Sequence, residues 1–467
     1  MQQREKFSSR LGFILISAGC AIGLGNVYRF PIITGAYGGA LFVLFYILFL
    51  LILGLPVMAM ELAVGRASGR SIASSFDVLE KSGQKWHLHK YTGMAGNYLL
   101  MMFYTTISGW MLIYFFKYLN GSILKYETAQ ELGEVFGSLI QSPVTMILST
   151  YAIIVLCFGV CSLGLQKGVE KITKVMMISL FLLMMGLAIY SCTLPGAKEG
   201  LKFYLIPSLD GVRTSGLWTV ISAAMGQAFF TLSLGVGGIA IFGSYIKKTH
   251  SLAGEALTII ALDTLIAIVA GIMIFPCCFS FGVDPGSGPG LIFISLPNTF
   301  AQMAGGRYWG IFFFIFLAIA AFTTVIAVFE NLIAYLMDQF KFKRVTASFI
   351  TGAAVALCAI PCALGFNLWS KFQPLGKGST ILDLEDFIVS QNLLPLGAFF
   401  IWFFCVTKYA WGWKNFIAES DTGQGIKFPQ KSYFYIKYIL PVLIAAIFIA
   451  GYIQQFDLVN KMKALIN

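Results

Sequence analysis

The chain has 467 residues, of which 58% are hydrophobic, 15% aromatic and only 11% charged. Soluble domains carry about 25% charged residues; these charges are too few to cover a water-facing surface, which excludes a soluble enzyme, a disordered chain and a disulfide scaffold. The composition fits one polytopic membrane domain over 1–467, and the net charge of +11 reads as loop lysines and arginines, not as a nucleic-acid surface.

Charged Arg4-Glu5-Lys6 is followed by an apolar segment with no small-residue cleavage site before Arg29, so the first apolar run reads as a span and not as a signal peptide. A spanning helix needs about 20 apolar residues. Eleven runs qualify: 11–37, 39–65, 90–119, 143–162, 171–193, 216–246, 254–281, 308–338, 346–366, 385–411 and 433–453. Polar links at 66–89, 120–142, 194–215, 282–307 and 412–432 lie between some of them. An internal N-terminus puts most of the 32 Lys and Arg residues on the cytoplasmic side, most clearly at Lys247-Lys248 and at 341–344. The C-terminus is then extracytoplasmic, and the short tails point to a bacterial inner membrane. Most of the nine Cys sit in apolar runs without metal spacing and read as small hydrophobes.

The first span contains Gly19, Gly23 and Gly25 at its middle, then Asn26, Arg29 and Pro31. The sixth holds Gln227-Ala-Phe-Phe-Thr-Leu-Ser-Leu-Gly-Val-Gly-Gly238. Glycine costs a helix about 1 kcal/mol relative to alanine. In lipid, non-helical backbone persists only where it is buried or lines a cavity. Close packing through small residues explains one such cluster. Two clusters, five spans apart, match an inverted 5+5 repeat, 11–193 and 216–411, with helix 433–453 outside it. Broken helices offer N–H groups to a carboxylate and freed carbonyls to a hard cation. An amino-acid zwitterion with sodium suits both.

The run Gly19-Cys-Ala-Ile-Gly-Leu-Gly-Asn-Val-Tyr-Arg-Phe-Pro31 resembles the first helix of the neurotransmitter:sodium symporter family, the LeuT-type amino-acid transporters. Phe229-Phe-Thr-Leu-Ser-Leu-Gly-Val-Gly237 resembles the sixth, and the likeness continues at Gly109-Trp110, at Pro56, Glu61 and Gly65-Arg66, and along the eighth span. The resemblance implies an all-α polytopic membrane protein with helices 1 and 6 broken and an eleventh helix. It also implies sodium-coupled import of amino acids by alternating access. One sodium site is implied at the Ala21 carbonyl, Asn26, Thr231 and Asp263, with the substrate carboxylate as a further ligand. A second is implied at the carbonyls of Gly19, Ile22 and Ala320 and the hydroxyls of Thr323 and Thr324. The implied substrate pocket comprises Ala21, Gly23, Gly25, Leu100, Tyr104, Phe230, Thr231, Ser233, Val236, Thr324 and Val328. In it Tyr104 bonds the carboxylate and Phe230 acts as a lid. Arg29, Gln227 and Asp386 resemble an outer gate, with Asp383 as a competing partner, and Arg4 with Asp338 an inner ion pair. Glu61 resembles a brace on the broken sixth helix. Glu330 has no assigned role.

An intramembrane carboxylate such as Asp263 costs about 2.5–3.5 kcal/mol on insertion scales and marks function by default. Family members with Asn at this position need chloride, so a fixed carboxylate implies chloride-independent transport. Gly23 stands where some monoamine carriers have Asp, which argues against monoamines. Val236 replaces the Phe of the leucine-type pattern and points to a roomier pocket for Trp, Tyr, Phe and Leu. Cys20 replaces a common Asn. No ring of charges or carbonyls suggests a channel. His87, His89 and His250 all fall in loops, away from any catalytic constellation. His87 and His89 read as polar loop residues, with metal chelation as the lesser alternative. Two rivals keep the fold: a sensor that binds without transport, and a proton-coupled carrier. Thr323 and Thr324 favour sodium, while Lys171 and Lys174 leave the proton reading open.

Overall fold

A computed structural model describes residues 7–285 and 290–456. Among the described residues, nine helices are long and apolar enough to cross a membrane: Ala40–Ser68, Trp86–Leu119, Pro143–Ser162, Leu165–Ser191, Leu252–Ser280, Gly306–Phe340, Arg344–Leu364, Ile381–Val406 and Gln430–Ile453. They are spans 2–5 and 7–11. Span 1 is the pair Arg10–Ala21 and Gly25–Ala36, bent by 49°. Span 6 is also interrupted, with a first half Leu217–Thr231 and a second half Ala240–Tyr245. Each of the eleven expected runs has a helical counterpart among the described residues, and both expected breaks are present.

The links are more ordered than their polarity suggests. Helix Ala129–Gln141 starts at a capping box between Thr128 and Glu131 and buries Leu132, Val135 and Leu139. That stripe of apolar residues three and four apart packs one face of a surface helix, on Leu291–Ser295. Short helices also occupy Ile72–Leu79, Ala197–Leu205, Asp210–Ser215, Leu296–Gln302 and Trp413–Ser420.

Prolines explain most irregularities within the helices. Wide π-type turns occur at Gly25–Arg29, Leu50–Gly54, Leu291–Ser295, Phe387–Leu393 and Tyr435–Ile439. Each ends two residues before a proline: Pro31, Pro56, Pro297, Pro395 and Pro441. Proline brings no N–H and its ring collides with the carbonyl four residues back. Widening the preceding turn relieves the collision and lets that carbonyl find another donor.

Spans 3 and 8 pack along each other at the centre, and the first half of span 1, Arg10–Ala21, lies against span 8. The second half of span 6 lies against span 2, where Gly65 and Gly243 allow backbone contact: a Cβ on either would strike the carbonyl of the opposing helix.

Glu330 has a clear place. Its carboxylate takes two bonds from Arg344, at 2.7 and 2.8 Å, and one from the Tyr245 hydroxyl at 2.7 Å. Arg344 also donates to the Cys161 carbonyl at 3.1 Å. This bidentate pair joins spans 4, 6, 8 and 9. Glu330 is fully buried and the Arg344 side chain is 15% exposed. Removing one partner of a buried pair costs about 3–5 kcal/mol, because the other charge is left uncompensated. Arg344→Ala should therefore lower the thermal unfolding temperature markedly in detergent, and Arg344→Met with Glu330→Leu should recover most of the loss. Equal melting of Arg344→Ala and the parent would contradict this account.

Further pairs tie the same side together. Arg66 and Lys248 hold Glu419 at 2.7 and 2.8 Å, and Arg10 holds Glu255 at 2.9 Å.

Candidate functional site at the two helix breaks

Span 1 leaves its helix at Ile22, whose φ of −76° and ψ of 94° are extended, and resumes at Gly25. Span 6 leaves its helix after Thr231 and runs through Ser233 (φ +50°), Gly235 (+95°) and Gly237 (+75°). These left-handed values are cheap only for glycine. The Gly235 amide is held by Glu61 Oε1 at 2.5 Å, from span 2. Asn97 of span 3 donates to the Val236 carbonyl at 2.8 Å. The unwound backbone is thus partnered from two neighbouring spans, as buried backbone requires.

One cluster of oxygens lies where the break of span 1 meets spans 6 and 7. Asn26 Nδ2 donates to Asp263 Oδ1 at 2.9 Å and to the Asp263 carbonyl at 3.0 Å. Thr231 Oγ1 lies 3.0 Å from Asn26 Oδ1 and 3.2 Å from Asp263 Oδ1. Tyr46 donates to Asp263 Oδ2 at 3.1 Å. Asn26, Tyr46 and Asp263 are each 0% exposed, so the carboxylate has no water to compensate it and depends on these neighbours. Tyr46 is a member of this cluster that sequence reasoning missed; its only signal is a hydroxyl inside the apolar run of span 2.

A second cluster lies between spans 1 and 8. Thr323 Oγ1 is 3.3 Å from the Ile22 carbonyl and 2.9 Å from the Ala320 carbonyl. Thr324 Oγ1 is 3.2 Å from the Gly19 carbonyl, 3.4 Å from that of Cys20 and 3.5 Å from that of Ile22. Thr324 therefore spends its hydroxyl across the helix interface rather than on its own helix. From span 5, Thr173 and Met177 face Gly19. Lys174 is turned away to Glu170, at 2.8 Å, and to Ser9, at 3.0 Å.

Between the clusters lies a narrow cavity of about 10 Å³, the room of a single water, lined by Cys20, Ala21, Gly25, Leu100, Tyr104, Phe230, Thr231, Ser233, Thr324, Val389 and Leu394. Tyr104 Oη accepts from the Leu24 amide at 2.7 Å. A Cβ on Gly23 would run into Tyr104 Oη and Thr324 Oγ1. Gly23, Val236 and Val328 are not among the lining residues; Val236 is buried against Gly96 of span 3. Cys20, Val389 and Leu394 line the cavity although sequence reasoning did not place them there. Val389 lies within the wide turn Phe387–Leu393 of span 10, and Leu394 directly follows it, just before Pro395.

Phe230 covers the end of the cavity that faces Arg29. The Arg29 guanidinium lies 4.1 Å from its ring centroid, bonds Ser390 at 3.2 Å and pairs with Asp386 at 3.5 Å. Gln227 does not join that pair; its amide donates to the Gly25 carbonyl at 2.7 Å. Asp383 does not compete for Arg29, because it closes a capping box with Thr380. Above them opens a vestibule of about 320 Å³. On the opposite side, Asp338 accepts from the Ser71 amide at 2.8 Å and lies 3.7 Å from Arg70. Arg4 lies outside the described residues.

Comparison with known proteins agrees with this architecture. The model of the sodium:neurotransmitter symporter family matches residues 4–132 and 126–463. The chain is 35% identical over 452 residues to the uncharacterized sodium-dependent transporter YhdH of Bacillus subtilis, covering 96% of this chain and 98% of that protein. It is 29% identical to the sodium-dependent serotonin transporter of Drosophila melanogaster, covering 96% of this chain and 76% of that one. The crystal structure of MhsT in complex with L-phenylalanine superposes with a TM-score of 0.86 at 36% identity, covering 96% of this chain and all of that one. The chain belongs to the sodium:neurotransmitter symporter family: it is a sodium-dependent secondary transporter with the LeuT-type fold, not an enzyme.

Proposed function

We propose that the chain imports hydrophobic L-amino acids, of the Trp, Tyr, Phe and Leu class, together with two sodium ions and without chloride. The observation that carries this reading is the pair of oxygen clusters at the break of span 1. A hard cation bound at about 2.3–2.6 Å holds neighbouring oxygens roughly 3.3–3.7 Å apart. The cross-helix separations of Thr324 Oγ1 to Gly19 and Ile22 and of Thr323 Oγ1 to Ile22 are 3.2–3.5 Å. With the Ala320 carbonyl they make a five-oxygen set. The first cluster offers Asn26, Thr231 and Asp263, with the Ala21 carbonyl and a substrate carboxylate to complete it. Asp263 supplies the negative charge that chloride brings where the carboxylate is absent.

The substrate stands between the clusters, its carboxylate toward Tyr104 and the N–H groups of the span 1 break. Leu100, Phe230, Val389 and Leu394 offer an apolar subsite. No lining side chain carries a charge for a side-chain amine, and the related MhsT was solved with L-phenylalanine. Phe230, capped by Arg29, is the lid; Arg29–Asp386 is the outer gate and Asp338 belongs to the inner one. The partly exposed Arg29–Asp386 pair, at 3.5 Å, stabilises closure by only about 1 kcal/mol, so it opens readily. Transport runs inward across a bacterial inner membrane, with the N-terminus cytoplasmic. Two sodium ions with a zwitterion carry two charges, and 100 mV contributes about 2.3 kcal/mol for each.

A proton-coupled carrier is disfavoured because Thr173 and Met177, not a lysine, face the second cluster. The test is uptake of radiolabelled amino acids into proteoliposomes with sodium, chloride and pH set independently. Sodium-driven accumulation of tryptophan, tyrosine, phenylalanine and leucine in chloride-free buffer is expected. Uptake that ignores sodium and follows a proton gradient would overturn the coupling. Binding without accumulation would make the chain a sensor. Tighter competition by glycine or alanine than by leucine would overturn the substrate class.

A further inference from the structure

Away from the helix breaks, one group of side chains on the Asp338 face gathers three metal-ligating atoms. Asp77 and Glu80 stand three residues apart at the end of helix Ile72–Leu79. That spacing puts both carboxylates on one side of the last turn. The chain then turns, and His87 in the short helix Trp86–Leu88 returns over them. Ligand atoms of Asp77, Glu80 and His87 all lie within 4.8 Å of one another. His89 is not part of the group; it is buried, stacked on Phe400 at 4.0 Å and edge-on to Phe76.

We propose that Asp77, Glu80 and His87 form a binding site for a divalent transition-metal ion of the zinc type. Two carboxylates and a neutral imidazole carry two negative charges, which match a divalent cation. The imidazole nitrogen selects a transition metal over magnesium or calcium, which take oxygen ligands. Three protein ligands leave a fourth tetrahedral position to water. At about 2.0–2.2 Å from a tetrahedral zinc, ligand atoms stand roughly 3.3–3.6 Å apart. The group is thus already near the required size. His87 Nδ1 and Glu80 Oε1, now 2.7 Å apart across a hydrogen bond, separate slightly as the ion takes the place of the proton between them; the neutral imidazole then carries its single proton on Nε2, so none is lost overall.

The surrounding residues hold the ligands in place. The His87 amide donates to Glu80 Oε2 at 3.2 Å. Gln339, at the end of span 8, donates to Asp77 Oδ2 at 3.1 Å and leaves Oδ1 for the ion. Lys81, the nearest cation in sequence, is turned away onto the Lys408 carbonyl at 3.2 Å. The site is reachable from water, since the His87 side chain is 33% exposed and that of Glu80 15%.

The same loop is anchored to span 8 by the Ser71 amide on Asp338 and by Gln339 on Ser74. A bound ion therefore stiffens the loop where it meets the end of that span.

The experiment is titration of the purified full-length protein, first stripped with chelator, with Zn²⁺ by calorimetry and with Co²⁺ by visible absorption. One ion per chain is expected, with tetrahedral cobalt bands. Losing an outer-shell partner weakens metal sites by about 10–100-fold; Gln339→Ala should fall in that range and His87→Ala and Asp77→Asn at or beyond its upper end. These residues lie on the surface, and unchanged melting temperatures in chelator would show that the variants fold. Absence of saturable binding, or binding that stays within threefold of the parent in His87→Ala and Asp77→Asn, would overturn the proposal. The readout does not involve transport, so it stands apart from the choice of substrate.

Discussion

Sodium-driven uptake by Asp263→Asn should fall by about 100-fold or more in chloride-free buffer. Asp263 is fully buried and bonded to Asn26, Thr231 and Tyr46 at 2.9–3.2 Å. Asparagine keeps the size and most of these contacts but removes the charge. Leaving one member of a buried ion pair alone costs about 3–5 kcal/mol, and each 1.4 kcal/mol is tenfold in affinity. The loss should appear as a rise in the sodium concentration for half-maximal uptake. Added chloride should restore part of the rate in the variant and change nothing in the parent. If the variant keeps the parent's sodium dependence without chloride, Asp263 does not face the ion.

The second large effect concerns the unwound part of span 6. Gly235 has φ of +95°, and a Cβ there would collide with the Leu394 carbonyl of span 10. A left-handed conformation alone costs an L-residue about 1–2 kcal/mol. The steric part adds to it, because the opposing atom is backbone and cannot rotate away. Moving this segment would also loosen the Glu61 bond to the Gly235 amide. Gly235→Ala should therefore abolish uptake, by more than about 30-fold, and lower the unfolding temperature. A substitution at open Gly226, where nothing lies within 4 Å, is the control and should be neutral in stability. Normal uptake by Gly235→Ala would mean that the segment does not hold this path during transport.

The spans were legible because lipid imposes a single rule, a run of apolar residues long enough to cross, and this rule needs no tertiary knowledge. The two breaks were legible because glycine clusters in such runs have few explanations. The surface helix Ala129–Gln141 was hidden by its polarity, although its capping box and its buried Leu132, Val135 and Leu139 are visible on inspection. Other features depend on which helices become neighbours. Glu330 could not be placed before Arg344 and Tyr245 were known to approach it from two other spans. Val236 was placed in the pocket by the family resemblance, yet the left-handed turns on either side aim it at Gly96. Val389 and Leu394 reach the cavity through a wide turn whose proline was in plain view but whose direction was not.

The wide turns before prolines have a mechanical consequence. A regular helix resists bending because each degree of bend stretches intact hydrogen bonds. At Pro31, Pro56, Pro297, Pro395 and Pro441 one such bond is missing from the outset, and the preceding turn is already dilated. Bending there stretches less, so compliance is concentrated at chosen heights along particular helices. Span 8, by contrast, runs from Gly306 to Phe340 without a proline and behaves as a stiff rod. A carrier that must rock some helices against others needs both kinds of material. Here much of the division between spring and strut is set by the placement of pyrrolidine rings, including Pro276 and Pro361 inside spans 7 and 9.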